Sequence, residues 1–181
     1  MTDEVLDARR GASEQAADSD SLILVDEADR EVGHMSKLQC HEGRGVLHRA
    51  FSLLIFNDAG ELLLQQRAAT KRLWPLYWSN SCCSHPRRSE TMETAVQRRL
   101  QEELGLRCAL NFLFKFQYQA QFDAAGAEHE ICSVFIGRST DPWNHCRHAF
   151  RHRVSTALAG MLKVDDPIKT AVVAPEAQGS A

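Results

Sequence analysis

Near the middle of the chain, Asn80-Ser-Cys-Cys-Ser-His85-Pro86 sets two adjacent cysteines just ahead of a histidine. Thiols beside an imidazole can act as a redox pair, as metal ligands or as a reactive thiolate. The commonest fate of a cysteine is a packed, inert thiol. The six cysteines, at 40, 82, 83, 108, 132 and 146, contain no C-x-x-C pair of the zinc-ribbon or thioredoxin kind. Reduced thiols are therefore expected. A second candidate is Glu128-His129-Glu130. On a strand, alternate residues share a face, so the two carboxylates project together while His129 points away. Such a pair repels unless a metal or a shared proton compensates, or unless both lie on a solvated edge.

Three histidines bear on that choice. His41 and His48 are separated by Glu-Gly-Arg-Gly-Val-Leu, whose glycines argue against a helix. A seven-residue separation on one strand would turn their rings to opposite faces, so they meet only through an irregular loop. With His85, Glu128 and Glu130 they would make a three-nitrogen, two-oxygen donor set acceptable to zinc, manganese or magnesium. Each histidine alone is more often a surface or core residue, and spacing does not by itself join them.

These groups need elements to carry them. "LILVDEADREVGHM" and "FSLLIFNDAGELLLQQ" each read as two extended runs around a turn. "TMETAVQRRLQEEL" puts Met92, Val96, Leu100 and Leu104 at helical spacing, with Gly105 as the stop. "CALNFLFKFQYQAQF" and "EICSVFIG" alternate like strands around a turn at Asp123 to Gly126. Strands, a helix and strands again give an α/β (α+β) domain, a mixed sheet with flanking helices. At 181 residues and 44% apolar content one domain is expected, over residues 21–141. Residues 1–20 have the composition of a disordered tail, and residues 142–181 form an atypical, partly disordered segment that admits a helix across Ala149 to Leu162. A net charge of -3 without a single-sign field gives no reason to expect nucleic acid, a membrane surface or a protein partner. The N-terminal residues lack the regions of a signal peptide, so a cytoplasmic location is expected.

Within the helix and the loop before it stands Ser84-x5-Glu90-x7-Arg98-Arg99-Leu100-x-Glu102-Glu103-x-Gly105-Leu106. This is similar to the Nudix box, with Ser84 where the usual form has Gly and Arg99 where it has Glu. Acidic side chains on one face of such a helix hold a divalent cation against a diphosphate, and Arg98 and Arg99 could add phosphate contacts. An ordinary solvated Glu-rich face is the plainer reading of Glu102 and Glu103 alone.

From about Leu22 to Thr140 the whole set resembles type 1 isopentenyl-diphosphate Δ-isomerase, a Nudix-fold enzyme. The resemblance rests on "HEGRGVLHRAF", "LLLQQRAATKRLWPLYWSNSCCSHP", "ETAVQRRLQEELG" and "AEHEICSVF". It implies interconversion of isopentenyl and dimethylallyl diphosphate by protonation and deprotonation, with a small-molecule diphosphate as substrate. It makes Cys83 and Glu130 the catalytic pair, Cys82 a packing neighbour, and Tyr118 the hydroxyl beside the acid. It implies a divalent metal (Mn, Zn or Mg) on His41, His48, His85, Glu128 and Glu130, and Mg on Glu103. Lys37, Arg67, Lys71 and Arg99 match positions that hold phosphate oxygens. Trp74 and Trp78 are candidates to face a carbocation, both assigned first to packing. Residues from about Pro142 onward fall outside the resemblance. Two other functions stay open: hydrolysis of a nucleoside diphosphate derivative, disfavoured by Arg99, and an impaired homologue that binds metal and diphosphate without turnover.

Overall fold

The computed structural model describes residues 21–140 and the backbone of a strand at 152–155. The expectations for residues 1–20, and for residues 142–181 apart from that strand, lie outside the described residues. The fold is α+β, a mixed sheet with few helices.

The sheet is organised around β3 (His48–Phe56), whose nine residues HRAFSLLIF are almost all buried because both faces are covered. Along one edge it pairs in parallel with β8 (Gly126–Arg138), His48 opposite Glu130 and Phe56 opposite Arg138. Three strands share its other pairings. β1 (Ser21–Val25) meets it at Leu24 and His48, β6 (Cys82–Ser84) at Phe51, Ser52 and Leu53, and β4 (Leu62–Gln66) only at Phe56 and Leu62. The expected two-stranded pairing of β3 with β4 is thus reduced to its turn end, because β6 occupies the ladder further along. β4 instead pairs with β5 (Trp78–Ser79) and with β9 (His152–Ser155). β9 also corrects the helix drawn across Ala149 to Leu162: those four residues are extended and bonded to Leu62–Gln65.

The remaining elements follow the sequence pattern. β1 and β2 (Glu31–Ser36) form the first antiparallel pair, and β7 (Leu110–Phe122) returns into β8 through a short 3-10 turn at Asp123–Ala125. α1 (Lys37–Cys40) is a single turn capped by Ser36. α2 (Met92–Leu104) starts at Thr91, whose hydroxyl accepts from the Thr94 N–H at 3.2 Å. It stops at Gly105, left-handed at φ 70°, whose N–H donates to the Gln101 carbonyl.

Pleat parity on β3 sorts the core. Phe51, Leu53 and Ile55 pack under α2 with Val96, Leu100, Leu104 and Phe135. Leu54 and Phe56 point the other way, against Leu62 and Val134. His48 and Ser52 lie on this second face by the same parity, and on β8 so do Glu128, Glu130 and Cys132.

Candidate active site

The site is built where that second face meets the loops at the start of β3. His41 ends α1, and a loop of positive-φ turns at Gly43 and Gly45 returns the chain so that His48 opens β3. The two imidazoles, which a single strand would have separated, face each other with ring centroids 4.9 Å apart. His85 closes the group at 5.0 Å from His48 and 5.8 Å from His41. One donor atom from each of His41, His48, His85 and Glu130 lies within 4.8 Å of the others.

The tautomers suit a cation. His41 Nδ1 donates to the Lys37 carbonyl and His48 Nδ1 to the Val46 carbonyl, both at 2.7 Å, which turns each Nε2 inward, the atom that offers a lone pair when the ring is neutral. His48 is fully buried, and its Nε2 has no hydrogen-bond partner, 3.5 Å from a Glu130 oxygen. An inward-facing orphan nitrogen beside a carboxylate is what a divalent ion would satisfy. Burial opposes charge on His48, but Cys40 and Glu130 outweigh it and push its pKa up to about 10. Burial takes His85 down to about 3.

Glu128 does not join this group. The Tyr118 hydroxyl stands between the two carboxylates, 2.8 Å from Glu130 and 2.9 Å from Glu128. β7 puts Tyr118 directly opposite Glu130, which is why the hydroxyl reaches both. One phenolic proton serves only one carboxylate, so the other must carry its own. Burial and the neighbouring Glu130 charge raise Glu128 to about 7, whereas on Glu130 burial is outweighed by His48 and His85 and the carboxyl is held well below its usual range. Burial and the same two carboxylates push Tyr118 well above its ordinary value.

The adjacent cysteines part company. β6 places Cys83 opposite Ser52 and Cys82 opposite Leu53, so the pleat sends the thiols to opposite faces of the sheet. Cys83 is open, but onto a walled cavity, so its thiol is accessible and yet surrounded by protein. That enclosure, with the Glu130 and Glu128 charges beyond, pushes it up to about 11. Its S–H donates to the Asn80 side-chain oxygen at 2.5 Å, with the Ser52 and Ser79 hydroxyls at 3.7 and 3.8 Å. Cys82 sits in the core under α2, but the expectation of a mere packing neighbour is incomplete: its thiol donates to Glu103 at 2.8 Å. Burial and the Glu103 charge raise it well above the usual thiol value.

Apart from the fully buried His48, these groups open onto one cavity of about 440 Å³, a size suited to a small ligand. Cys83, Tyr118, Glu128 and Glu130 line it together with Lys37, Arg67, Lys71, Arg99 and Glu103. Partial burial and then the charges of Lys37 and Arg67 lower Lys71, the mark of cations crowded together. Arg67 is partly committed elsewhere, donating to the Leu73 and Trp74 carbonyls that shape the adjoining loop. Arg99 donates to Glu103 at 3.1 Å while its buried Nε has no partner. Arg98, read as a second phosphate contact, is instead bound to Glu90 and Glu102 and holds the loop to α2. Trp74 and Trp78 both line the cavity, and Trp74 packs on Phe122. Sequence reading missed Ser52 and Asn80. Ser52 was findable, four residues beyond His48 on the same strand face, while Asn80 had no periodic signal.

Comparison with known proteins decides among families. The NUDIX domain family model matches residues 46–172, reaching into the C-terminal segment outside the resemblance. Isopentenyl-diphosphate Delta-isomerase 1 of Photorhabdus laumondii is 49% identical over 121 residues, covering 65% of this chain and 68% of that protein. The chain belongs to the isopentenyl-diphosphate isomerase family of NUDIX proteins. Another member, isopentenyl-diphosphate Delta-isomerase of Nocardia farcinica, is 50% identical over 115 residues, with 63% of this chain and 66% of the relative covered. An isopentenyl-diphosphate Delta-isomerase 2 from Aromatoleum aromaticum is 47% identical over 65% of this chain and 62% of its own length. The chain thus spans about two thirds of the length of the family members it matches. A solved structure from Deinococcus radiodurans shares the fold at a TM-score of 0.54 and 24% identity, covering 67% of this chain and 74% of its own. Among the described residues no helix is long and apolar enough to cross a membrane.

Proposed function

We propose that the chain interconverts isopentenyl diphosphate and dimethylallyl diphosphate. The observation that carries this reading is the juxtaposition in one cavity of a thiol, Cys83, with the Glu128, Tyr118 and Glu130 proton-bearing group, beside a cluster of cations. Moving the double bond adds a proton at C4 and removes one from C2, with cationic character at C3. No electrons are exchanged, so no redox cofactor is needed.

The diphosphate oxygens would go to Lys37, Lys71, Arg99 and the uncommitted part of Arg67, and Glu103 would hold the magnesium that accompanies them. Its hydrocarbon tail then lies between Tyr118 and Cys83. Tyr118, bonded to both carboxylates, delivers its proton and is recharged from Glu128, the carboxyl that carries one, while ionised Glu130 orients the hydroxyl; Cys83, as thiolate, removes a proton from the other side. Trp78, in the cavity wall, offers a π face to the positive carbon. A positioned acid and base supply roughly 10²–10⁴-fold each, and exclusion of water and orientation supply the rest. His41, His48, His85 and Glu130 would hold a second divalent metal, Mn, Zn or Mg, with Glu128 outside the immediate donors. When bound there, the ion neutralises Glu130 and so weakens the field that keeps the Cys83 thiol protonated. A reaction that needs a free thiol suits a reducing compartment, which supports the reading of a cytoplasmic location.

The test is incubation with isopentenyl diphosphate and magnesium in D₂O, followed by NMR. Dimethylallyl diphosphate carrying deuterium supports the proposal. Release of phosphate selects a hydrolase, and tight diphosphate binding without product selects a non-catalytic homologue; either result sinks the isomerase reading.

A further inference from the structure

The isomerisation uses Cys83 and leaves its neighbour without a role. We infer that Cys82 is a positioning residue, whose S–H fixes the carboxylate of Glu103 in the orientation that meets a cation escorting a diphosphate. The inference rests on the diphosphate reading of the cavity.

Three observations carry it. First, the Leu53 and Cys82 pairing aims this thiol under α2, away from Cys83 and toward the helix that bears Glu103. Second, the two oxygens of Glu103 are divided between two donors: Cys82 on Oε2 at 2.8 Å and Arg99, one turn earlier on α2, on Oε1 at 3.1 Å. One donor on each oxygen fixes the plane of the carboxylate about its side-chain torsions, while each oxygen keeps a lone pair for a cation. Third, Cys82 is 2% exposed and Glu103 8% exposed, yet both reach the cavity wall. Without the thiol, the carboxylate would have Arg99 as its one remaining partner on that side and could swing toward the guanidinium.

The competing account is packing alone, since Cys82 also touches the cluster of Leu53, Leu100 and Leu104. The two accounts predict opposite orders for substitutions. Serine and threonine keep an O–H donor in the apolar surroundings, whereas alanine and valine keep the apolar contact and lose the donor.

The experiment is calorimetric titration of the full chain with inorganic pyrophosphate, with magnesium in excess and again in EDTA, for the parent, C82S, C82A, C82T and C82V. Positioning predicts that C82S and C82T bind magnesium pyrophosphate within about threefold of the parent. C82A and C82V bind it about tenfold more weakly, the loss of one hydrogen bond to a charged group. That tenfold difference disappears in EDTA, where general damage to the cavity would persist. If C82A does not fold, the near-isosteric Thr and Val pair gives the same comparison. Equal affinities within each pair, a reversed order, or a loss that survives EDTA overturns the inference. A parent chain that binds no magnesium pyrophosphate overturns the diphosphate reading, and the inference with it. A parent that binds normally while the pairs are equal overturns only the role of Cys82.

Discussion

Gly126, at the turn from β7 into β8, offers a direct check on how the histidine group is held. Its φ is +139°, and a Cβ there would lie 2.1 Å from the His41 carbonyl oxygen and 3.0 Å from Arg72 Nη2. Normal contact begins near ~3.4 Å, so Gly126→Ala forces the two segments apart by roughly 1 Å. The Ala127 N–H donates to that same carbonyl at 3.0 Å, and Arg72 ties the turn to α1 through the Ala125 and Leu38 carbonyls. Losing the backbone bond costs about 0.5–1.5 kcal/mol and a non-glycine residue at this φ about 1–3 kcal/mol, or roughly 2–4 kcal/mol together. At about 3 °C per kcal/mol, Tm falls by roughly 6–12 °C. Gly60→Ala is the internal control. Its φ is +76°, but nothing lies within 4 Å of the added Cβ, so only a backbone cost of roughly 1–2 kcal/mol applies. Because His41 moves with its carbonyl, Gly126→Ala should also weaken zinc or manganese binding about 10–100-fold. Gly60→Ala should leave it unchanged. Differential scanning calorimetry and metal titration read both effects. Equal Tm shifts in the two variants, with equal metal affinity, would refute the close approach and the claim that this turn braces His41.

Replacing Cys83 by Ala should abolish isomerisation while leaving the Kd for magnesium pyrophosphate close to the parent value, since the cations that hold the diphosphate are separate side chains; a large change in Kd would contradict that division. Tyr118→Phe should lower kcat about 10²–10⁴-fold with little change in KM, measured by steady-state NMR. Asp29 supplies the pH test. Burial would raise its carboxyl, but Lys115 and Arg49 outweigh it, so its folded pKa lies below the ordinary 3.8. Its contribution to stability is therefore present above about pH 4 and lost as pH falls through the lower folded value. Tm measured from pH 5 to pH 2.5 should fall less steeply for Asp29→Asn than for the parent, and parallel curves would contradict the assignment.

How much of this was legible depended on whether the signal was local. α2 was readable because its capping threonine, its apolar spacing and Gly105 all lie within one stretch. The β7 and β8 pair was readable for the same reason, being two long alternating runs around one turn. The partnering of β3 was not. β6 is three residues long, too short to announce itself, yet it takes the edge that the hydrophobic pattern gave to β4 and so fixes where both cysteines point. Excluding a helix and a single strand left an irregular loop as the only way for His41 and His48 to meet, but that they do meet, and that His85 joins them, came from tertiary packing. Glu128 shares a strand face with Glu130, as parity required, but shared parity does not fix side-chain reach. The hydroxyl of Tyr118, a residue of the neighbouring strand, holds it toward the cavity.

The charge arrangement on α2 bears on why this cavity favours isomerisation over hydrolysis. Glu102 is turned outward among Arg98, Arg99 and Arg87, and Glu103 is the carboxylate of the helix that lines the cavity. Arg99 stands one turn before it, where the related box carries a glutamate, and its guanidinium neutralises Glu103 at 3.1 Å. A substitution that turns an anion into a cation changes the local charge by two units. With one helical carboxylate instead of several, the site can accept a diphosphate and a single escorting cation, but it lacks the anionic surroundings that would activate a water molecule against phosphorus. The acidic groups that remain, Glu128 and Glu130, are on β8 beside Tyr118 and are coupled to Cys83 through their charges rather than to Glu103. On the proposed function, the cavity thus separates the place where phosphate would be held from the place where protons would move. A double-bond shift several atoms from the diphosphate needs that separation, and an attack on phosphorus would not.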